Sequence, residues 1–156
     1  MQIYLIAVGQ KMPEWVVHGY HAFADRLPPE SGLRLIEVPA LKRGRNADLT
    51  RIAAREGEAL LAAVPRGARI IALDERGRQW STRELAVQFD AWRQSGADVA
   101  LLVGGPDGLH ESCRQRAQQL WSLSPLTLPH ALVRVIVAEQ LYRAWSIGAN
   151  HPYHRD

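Results

Sequence analysis

The sequence has few cysteines, few lysines and no hydrophobic run of membrane-spanning length. A single cysteine, Cys113, excludes an internal disulfide framework and is typical of a protein from a reducing compartment. The apolar start at residues 1–8 carries no basic residue and is followed by Gly9. It therefore predicts neither a signal peptide nor a membrane span of about twenty residues. We expect a cytoplasmic protein without a membrane partner.

Lysine is nearly absent, and Lys11 and Lys42 are the only two. The net charge is nevertheless +3, and the pI is about 9.4. Arginine supplies most of the positive charge. Its planar guanidinium suits bidentate phosphate contacts and stacking on bases, but also ordinary surface ion pairs. The charge alone is therefore only a weak indication of a nucleic acid partner.

The sequence also lacks both common glycine fingerprints of nucleotide-binding proteins, G-x-G-x-x-G and G-x-x-x-x-G-K-[ST]. The turn after the first apolar run, at residues 9–11, supplies no dinucleotide fingerprint, which argues against a Rossmann-like oxidoreductase. Two classes stay open on the residues alone. One is an enzyme that binds a different cofactor, and the other is a non-catalytic factor that binds RNA or the ribosome.

Apolar runs of strand length alternate with helical patterns along the chain. The patterns predict strands at 2–8, 33–38, 69–73 and 98–103, and helices at 14–27, 48–64, 81–95, 109–119 and 131–147. Ser81 and Glu84 form the capping box of the third helix. Continuously apolar strands are typical of a parallel sheet covered by helices on both faces. We predict an α/β fold, a single domain over residues 1–156 with about five strands, in which a polar turn at 74–77 ends the third strand.

Three predicted strand ends carry unusual residues, namely Leu73-Asp74, Gly104-Gly105-Pro106 and the segment 123–128. In open α/β sheets ligands bind where the strands deliver their carboxyl ends, so these three segments would form one pocket. The sequence G-G-P-D-G at 104–108 fits a turn that lets a ligand approach the backbone closely. It also fits a plain strand-to-helix turn, and the residues leave both readings open.

The last predicted helix is apolar on more than one face. Only Arg134, Glu139, Gln140, Arg143 and Ser146 interrupt the run from 131 to 147. A helix of this kind predicts burial against its own domain and against a second subunit. Glu139 and Arg143 are four residues apart and so lie on one face, where they form either a helix ion pair or part of a site.

Two polar segments have more than one interpretation. The tail 151–156, H-P-Y-H-R-D, is a frayed terminus by default, but it could supply two metal ligands, or stack Tyr153 on a base while His154 and Arg155 meet phosphates or move a proton. The loop Lys42-Arg43-Gly44-Arg45 is a solvated basic loop by default and an RNA contact otherwise.

Four motifs, taken together, closely resemble one protein family. They are L-L-V-G-G-P-D-G-L at 101–109, W-S-L-S-P-L-T-L-P-H at 121–130, V-A-E-Q-L-Y-R-A-W-S-I at 137–147 and N-H-P-Y-H-R-D at 150–156. With K-M-P-E-W at 11–15 and K-R-G-R-N-A-D at 42–48, the resemblance covers nearly the whole chain. The family is the ribosomal large-subunit pseudouridine methyltransferase H family, of the SPOUT class.

The resemblance implies a trefoil knot and cofactor site at about 70–150, a rare exception to the rule that chains do not thread their own loops. It implies a homodimer in which the partner completes each active site. It also implies that the knot binds S-adenosylmethionine through residues that match the family's cofactor positions, namely Leu73, Gly104, Leu123, Ser124, Pro125, Leu126, Thr127 and Leu128. These residues lie at the three strand ends selected above.

The implied reaction is methylation of N3 of a pseudouridine in 23S rRNA within the ribosome, without a metal. Of the residues that match the family's catalytic and RNA-facing positions, we assign Glu139, Arg143 and His154 to catalysis. His154 or Glu139 would remove the N3 proton, and Arg143 or Arg155 would stabilise charge on the neighbouring carbonyl oxygens. Contacts with RNA are expected from His130, Tyr153, Arg155, Lys42, Arg43 and Arg45.

Two positions depart from the pattern of this family. Asp107 stands where many relatives carry the longer glutamate, and His110-Glu111 follows Leu109 where small residues or proline are common. Both lie beside the turn at 104–108, so they bear on the local shape of that turn.

Overall fold

A five-stranded parallel sheet forms the centre of the computed structural model, which describes residues 1–155. The strands are β1 (Ile3–Val8), β2 (Leu33–Val38), β3 (Arg69–Gln79), β4 (Val99–Val103) and β5 (Gln119–Ser122). Their order across the sheet is β2-β1-β4-β3-β5, and each neighbouring pair is parallel. The predicted α/β fold is confirmed.

Helices cover both faces of the sheet, as the apolar strands predicted. They are α1 (Glu14–Ala24), α2 (Leu49–Ala62), α3 (Thr82–Ser95), α4 (Glu111–Arg116) and α5 (His130–Gly148), with short 3-10 turns at Pro29–Ser31 and Pro152–His154. One core contains residues of α1, α3 and α5, among them Tyr20, Phe89, Trp92 and Leu141. The other core lies under α2 and α4 and contains Leu60 and Cys113. Successive residues of β1 alternate between the two cores, as a pleated strand requires.

Local signals fixed the ends of α3. The hydroxyl of Ser81 accepts from the amide of Glu84, and the carboxylate of Glu84 accepts from the amide of Ser81, so the predicted capping box is present. The helix ends at Gly96, which has a left-handed conformation at φ +76°.

The predicted turn at 74–77 is wrong, because β3 continues through it to Gln79. Trp121 of β5 is paired with both Leu73 and Arg78, so the residues between them form a bulge in β3. A Cβ on Gly77 would lie 2.5 Å from the carbonyl carbon of Leu120. The glycine that indicated a turn serves instead to let β3 approach β5.

Two predicted helices are too long. α1 ends at Ala24 rather than at residue 27, and α4 ends at Arg116 rather than at residue 119. At the second boundary the amide of Gln118 donates to the carbonyl of Ile70, and the amide of Ile70 donates to Oε1 of Gln118. Pairing with β3 therefore overrides helix propensity and starts β5 at Gln119.

The knot that the resemblance implies for residues 70–150 stays a prediction. Within residues 1–155, none of the helices combines the length and the apolar character needed to cross a bilayer.

Candidate active site

The carboxyl ends of β4, β3 and β5 are neighbours in the sheet and border a cleft of about 850 Å³, which we call the cofactor cleft. The cleft has the size of a small-molecule site. Every predicted cofactor position except Pro125 lines it, namely Leu73, Gly104, Leu123, Ser124, Leu126, Thr127 and Leu128. Pro125 is exposed within the same loop. Parallel strand ends thus bring together three segments that are distant in sequence.

One wall of the cleft is the turn Gly104–Gly108, which we call the cofactor turn. The amide of Gly108 donates to the carbonyl of Gly105 at 3.0 Å, and Gly108 has a φ of +79°. A Cβ on Gly104 would lie 2.5 Å from the carbonyl carbon of Gly108. The turn is thus too tight for a side chain at position 104, and its backbone is accessible from the cleft.

The opposite wall is the loop between β5 and α5. The hydroxyl of Ser122 donates to the carbonyl of Ser124, and the hydroxyl of Ser124 accepts from the amide of Leu126 at 2.9 Å. These bonds fix the path of the loop without a helix or a ladder. The side chain of Leu126 is 74% exposed at the rim, which leaves an apolar surface at the mouth of the cleft.

The lining of the cleft fits S-adenosylmethionine, a ligand with an adenine ring and a positively charged sulfonium. Apolar side chains offer a surface for a flat ring, and they include Leu73, Val103, Trp121, Leu123, Leu128 and Val133. The carboxylates of Asp74 and Glu75 line it together with the guanidinium groups of Arg76 and Arg114, so charges of both signs border the cleft. Among residues 1–155, no group of three or more His, Cys, Asp or Glu side chains is placed to hold a metal ion.

Arg114 holds the bulge of β3 against α4. Its Nη1 lies 3.3 Å from the carboxylate of Asp74, whose side chain is 8% exposed, and also donates to the carbonyl of Leu109 at 2.7 Å. Hydrogen bonding to Glu111, with the charge of Asp74, raises the pKa of Arg114. This contact was not predictable from local patterns, because Asp74 and Arg114 are 40 residues apart.

A second polar group lies around the C-terminal half of α5, and we call Glu139, Arg143, Tyr153 and His154 the tail cluster. Nε of Arg143 donates to Glu139 at 2.8 Å, so the predicted ion pair forms. The hydroxyl of Tyr153 donates to the same carboxylate oxygen at 3.0 Å. Arg143 also lies over the ring of Tyr153, 4.7 Å from its centroid.

Residues 151–155 of the tail are therefore docked rather than frayed, and Asp156 lies outside the described residues. The ring of Tyr153 packs on the ring of Tyr142, with 4.7 Å between the ring centroids. The 3-10 turn Pro152–His154 places Tyr153 in this position. Burial and the hydrogen bond to Glu139 raise the pKa of Tyr153, so its hydroxyl stays a donor at neutral pH. His154 is half-buried, and within residues 1–155 its Nδ1 has no hydrogen-bond partner.

Next to the tail cluster is a smaller cleft of about 500 Å³, lined by Arg26, Tyr142, Arg143, His151, Pro152, Tyr153 and Arg155. The sequence did not single out Arg26, whose guanidinium lies 5.7 Å from the ring centroid of Tyr142. Cations over aromatic faces can hold both phosphates and bases. Arg155 is exposed beside them.

The two polar regions lie along different parts of α5, one at its first residue and the other from its midpoint to its carboxyl end. His130 begins the helix at the edge of the cofactor cleft, whereas Glu139 and Arg143 lie about 14 and 20 Å further along at 1.5 Å per residue. The two clefts share no lining residue. A single chain therefore does not bring its predicted catalytic residues to its own cofactor cleft.

His130 lies one helical turn before Arg134, a buried cation of the same helix. Burial and the charges of Arg134 and Arg43 lower the pKa of His130. Arg134, only 1% exposed, donates to the carbonyl of Gly9 at 2.8 Å and pairs with Glu37 at 2.5 Å. The sequence showed Arg134 only as an interruption of an apolar helix, but it ties α5 to the loop after β1.

In the basic loop at 39–47 the cations differ in environment. Lys42 and Arg45 are exposed. Arg43 instead donates to both carboxylate oxygens of Glu56, at 2.9 and 2.8 Å, and to Asp107 at 2.8 Å. The hydrogen bonds to these two carboxylates raise the pKa of Arg43. Its guanidinium is thus already engaged within the chain.

Residues 1–154 match the family described as "Predicted SPOUT methyltransferase". The chain belongs to the SPOUT methyltransferase family. It is 59% identical to the ribosomal RNA large subunit methyltransferase H of Thioalkalivibrio sulfidiphilus, over 156 residues that are 100% of both chains. Membership confirms the predicted family and the predicted class of enzyme, a methyltransferase.

Solved structures of low identity agree with the SPOUT fold. A methylase family protein from Haemophilus influenzae superposes with a TM-score of 0.56 at 17% identity, covering 97% of this chain and 68% of that one. A methyltransferase from Legionella pneumophila, solved in complex with its cofactor SAM, gives a TM-score of 0.50 at 11% identity, covering 92% of this chain and 66% of that one. These likenesses concern the fold alone.

Proposed function

We propose that this SPOUT methyltransferase transfers a methyl group from S-adenosylmethionine to N3 of a pseudouridine in 23S rRNA, on the assembled ribosome in the cytoplasm. The observation that carries the proposal is the cofactor cleft, because three predicted segments meet there in a chain of this family. The class of substrate follows from the 59% identity to a ribosomal RNA large subunit methyltransferase.

S-adenosylmethionine supplies a methyl carbon activated by the neighbouring sulfonium. The residues that would hold it are the loop 123–128, Leu73 and Gly104. Apolar walls would take the adenine ring. The chain's own task is to hold the acceptor nitrogen in line with that carbon.

We propose a homodimer in which the tail cluster of each subunit faces the cofactor cleft of the other. The distance between the two regions within one chain supports this arrangement, because catalysis needs them together. α5 already packs against both α1 and α3, and it retains partly exposed apolar side chains, including Leu132, Ile136 and Ile147. These side chains would be buried in the dimer.

At the acceptor, loss of the N3 proton makes the nitrogen a better nucleophile. His154 or Glu139 would remove that proton directly or through water. Glu139 already accepts from Arg143, Tyr153 and Gln140, and Nδ1 of His154, which has no partner within residues 1–155, is itself buried, so both groups stay candidates for the base. Arg143 or Arg155 would stabilise charge on the adjacent carbonyl oxygens.

Contacts with RNA would come from exposed or cleft-edge residues: His130, Tyr153, Arg155, Lys42 and Arg45. We assign Arg43, which the sequence placed among them as part of the basic loop, to the support of that loop, because two carboxylates already hold it. A protein of small net charge should bind naked RNA weakly, so a folded ribosomal surface is the expected substrate.

The test is a nucleoside analysis of 23S rRNA by mass spectrometry from cells with and without the gene. The modified pseudouridine should disappear in its absence and return when purified protein and S-adenosylmethionine are added to the deficient ribosomes. Calorimetric titration with S-adenosylmethionine distinguishes the proposed enzyme from a non-catalytic ribosome-binding factor, which would not bind S-adenosylmethionine. Equal methylation of naked RNA would contradict the ribosomal substrate.

A further inference from the structure

A network of one arginine and two carboxylates connects the basic loop with the cofactor turn. Arg43 forms a bidentate pair with Glu56, and its Nε donates to Asp107 at 2.8 Å. The side chain of Glu56 is 3% exposed, that of Arg43 21% and that of Asp107 31%. A guanidinium presents enough donors in one plane to serve both carboxylates at once, which an ammonium does not.

The cofactor turn lies directly on this network. A Cβ on Gly105 would be 3.3 Å from Nη2 of Arg43 and 3.4 Å from Oε1 of Glu56. The other side of the turn forms a wall of the cofactor cleft, and Asp107 belongs to both, because it lines the cleft and binds Arg43. Any shift of the turn when the cleft is filled would therefore reach Arg43 without an intermediate residue.

At its other end the network sets the shape of the basic loop. Nη1 of Arg43 donates to the carbonyl of Leu41 at 3.0 Å, and Glu56 accepts from the amide of Leu41 at 2.9 Å. The loop is therefore closed around the guanidinium. Lys42 and Arg45 are the exposed cations on either side of Arg43 in the sequence. Their side chains extend from a backbone whose path is determined by the contacts of Arg43.

We infer that Arg43 is a positioning residue through which filling the cofactor cleft and binding RNA at the basic loop strengthen each other. The Arg43–Glu56 pair is the fixed part, since a buried carboxylate without its cation would be costly. The contact between Arg43 and Asp107 is the part that follows the cofactor turn. The inference rests on the proposed function, because it takes the basic loop as the RNA contact.

Coupling between two ligands is reciprocal, so one direction suffices to measure it. The dissociation constant of large ribosomal subunits lacking the modification would be measured with and without saturating S-adenosylhomocysteine, which cannot be turned over. For the unaltered protein we expect the cofactor product to tighten ribosome binding by about fivefold or more, the usual lower range of such coupling.

Asp107→Asn is the decisive variant, because it weakens the link to the turn and leaves the Arg43–Glu56 pair that the fold needs. The coupling factor is the ratio of the ribosome dissociation constants without and with S-adenosylhomocysteine. In this variant the factor should fall towards one. Asp107→Glu restores a carboxylate and should recover the coupling. The matched control is Asp90→Asn, which removes an exposed contact with Arg93 on α3 and should leave the factor unchanged.

Thermal unfolding separates a structural effect from a positioning effect. Loss of stability alone would weaken both ligands without changing the factor measured at saturation. The inference is overturned if Asp107→Asn, folded and saturated, keeps the coupling of the unaltered protein, or if that protein shows a factor of one. A protein that binds neither S-adenosylhomocysteine nor ribosomes would contradict the proposed function instead.

Should Asp107→Asn not fold, Arg43→Lys provides the second measurement. It keeps the positive charge beside Glu56 but does not bridge both carboxylates. We expect the same loss of coupling. A folded Arg43→Lys protein with unchanged coupling would overturn the inference equally.

Discussion

The two ends of α5 differ in how their polar groups are assembled. At the amino end, His130 borders a cleft made by three neighbouring strand ends and by glycines that allow a tight turn. At the carboxyl end, Glu139 and Arg143 hold a tail whose described part, residues 151–155, has no sheet or helix beyond one 3-10 turn. The order of the strands dictates the first region, whereas the second is maintained by side-chain contacts together with a backbone hydrogen bond from the amide of His151 to the carbonyl of Ser146.

This difference bears on the reaction, because cofactor and catalytic groups are expected at opposite ends of one helix. A methyl transfer requires the reacting atoms to lie about 3 to 3.5 Å apart, whereas Glu139 and Arg143 lie about 14 and 20 Å along α5 from His130 and do not line the cofactor cleft. Two chains solve the problem if each presents its tail to the cleft of the other.

The strongest disruption of the amino end is Gly104→Ala. The added Cβ would lie 2.5 Å from backbone atoms of Gly108, so the cofactor turn must open. We expect S-adenosylmethionine affinity, measured by calorimetry, to fall by about 100-fold or more, which is roughly 3 kcal/mol. Gly148→Ala is the matched control, because nothing lies within 4 Å of its new Cβ, and it should bind normally. Normal binding by Gly104→Ala would show that the ligand lies elsewhere.

Removing the base at the carboxyl end should reduce chemistry and not cofactor binding. We expect His154→Ala to lower the single-turnover rate on ribosomes by about 100-fold or more, in the range for a positioned acid or base. Cofactor affinity should be unchanged, since His154 does not line the cofactor cleft. Glu139→Gln serves as the comparison. If both variants kept near-normal rates, neither group would be the base.

Mixing two inactive proteins tests whether each site uses both chains. A dimer of Gly104→Ala with His154→Ala would contain one site with an intact cleft and an intact tail, and one site with neither. Random exchange of subunits should therefore restore about a quarter of normal activity from two inactive stocks. If cleft and tail act within one chain, the mixture stays inactive. Denaturing and refolding the two proteins together controls for slow exchange.

Part of the convergence at the cofactor cleft was predictable, for a physical reason. Parallel strands deliver their carboxyl ends to one edge, so Leu73 and Gly104 had to converge once β3 and β4 were recognised. The strand that delivers Leu123 was missed, because Gln119 was assigned to the preceding helix and residues 120–122 to no element. The bulge in β3 escaped prediction because Gly77 is explained by the backbone of Leu120, a contact between segments that no local pattern connects.

The contacts of charged residues were less accessible from the sequence. Glu139 and Arg143 share a helix face, so their pairing was predictable from spacing, but Tyr153 reaches them only because the tail folds back. Arg43 was predicted to face RNA, yet its partner Asp107 is 64 residues away. The partner of a charged side chain depends on tertiary packing, and periodicity does not record it.

The smallest expected effect comes from the exposed cations of the basic loop, which lie apart from both ends of α5. Lys42→Gln and Arg45→Gln should each weaken ribosome binding by a few-fold. Each should also lower the slope of log affinity against log salt by about 0.7 to 0.9, the value for one phosphate contact. Cofactor affinity without ribosomes should not change, because neither side chain lines the cofactor cleft. Arg51→Gln, a helix cation outside the loop, is the control, and an equal loss there would mean that the effect is general electrostatic attraction and not contact by this loop.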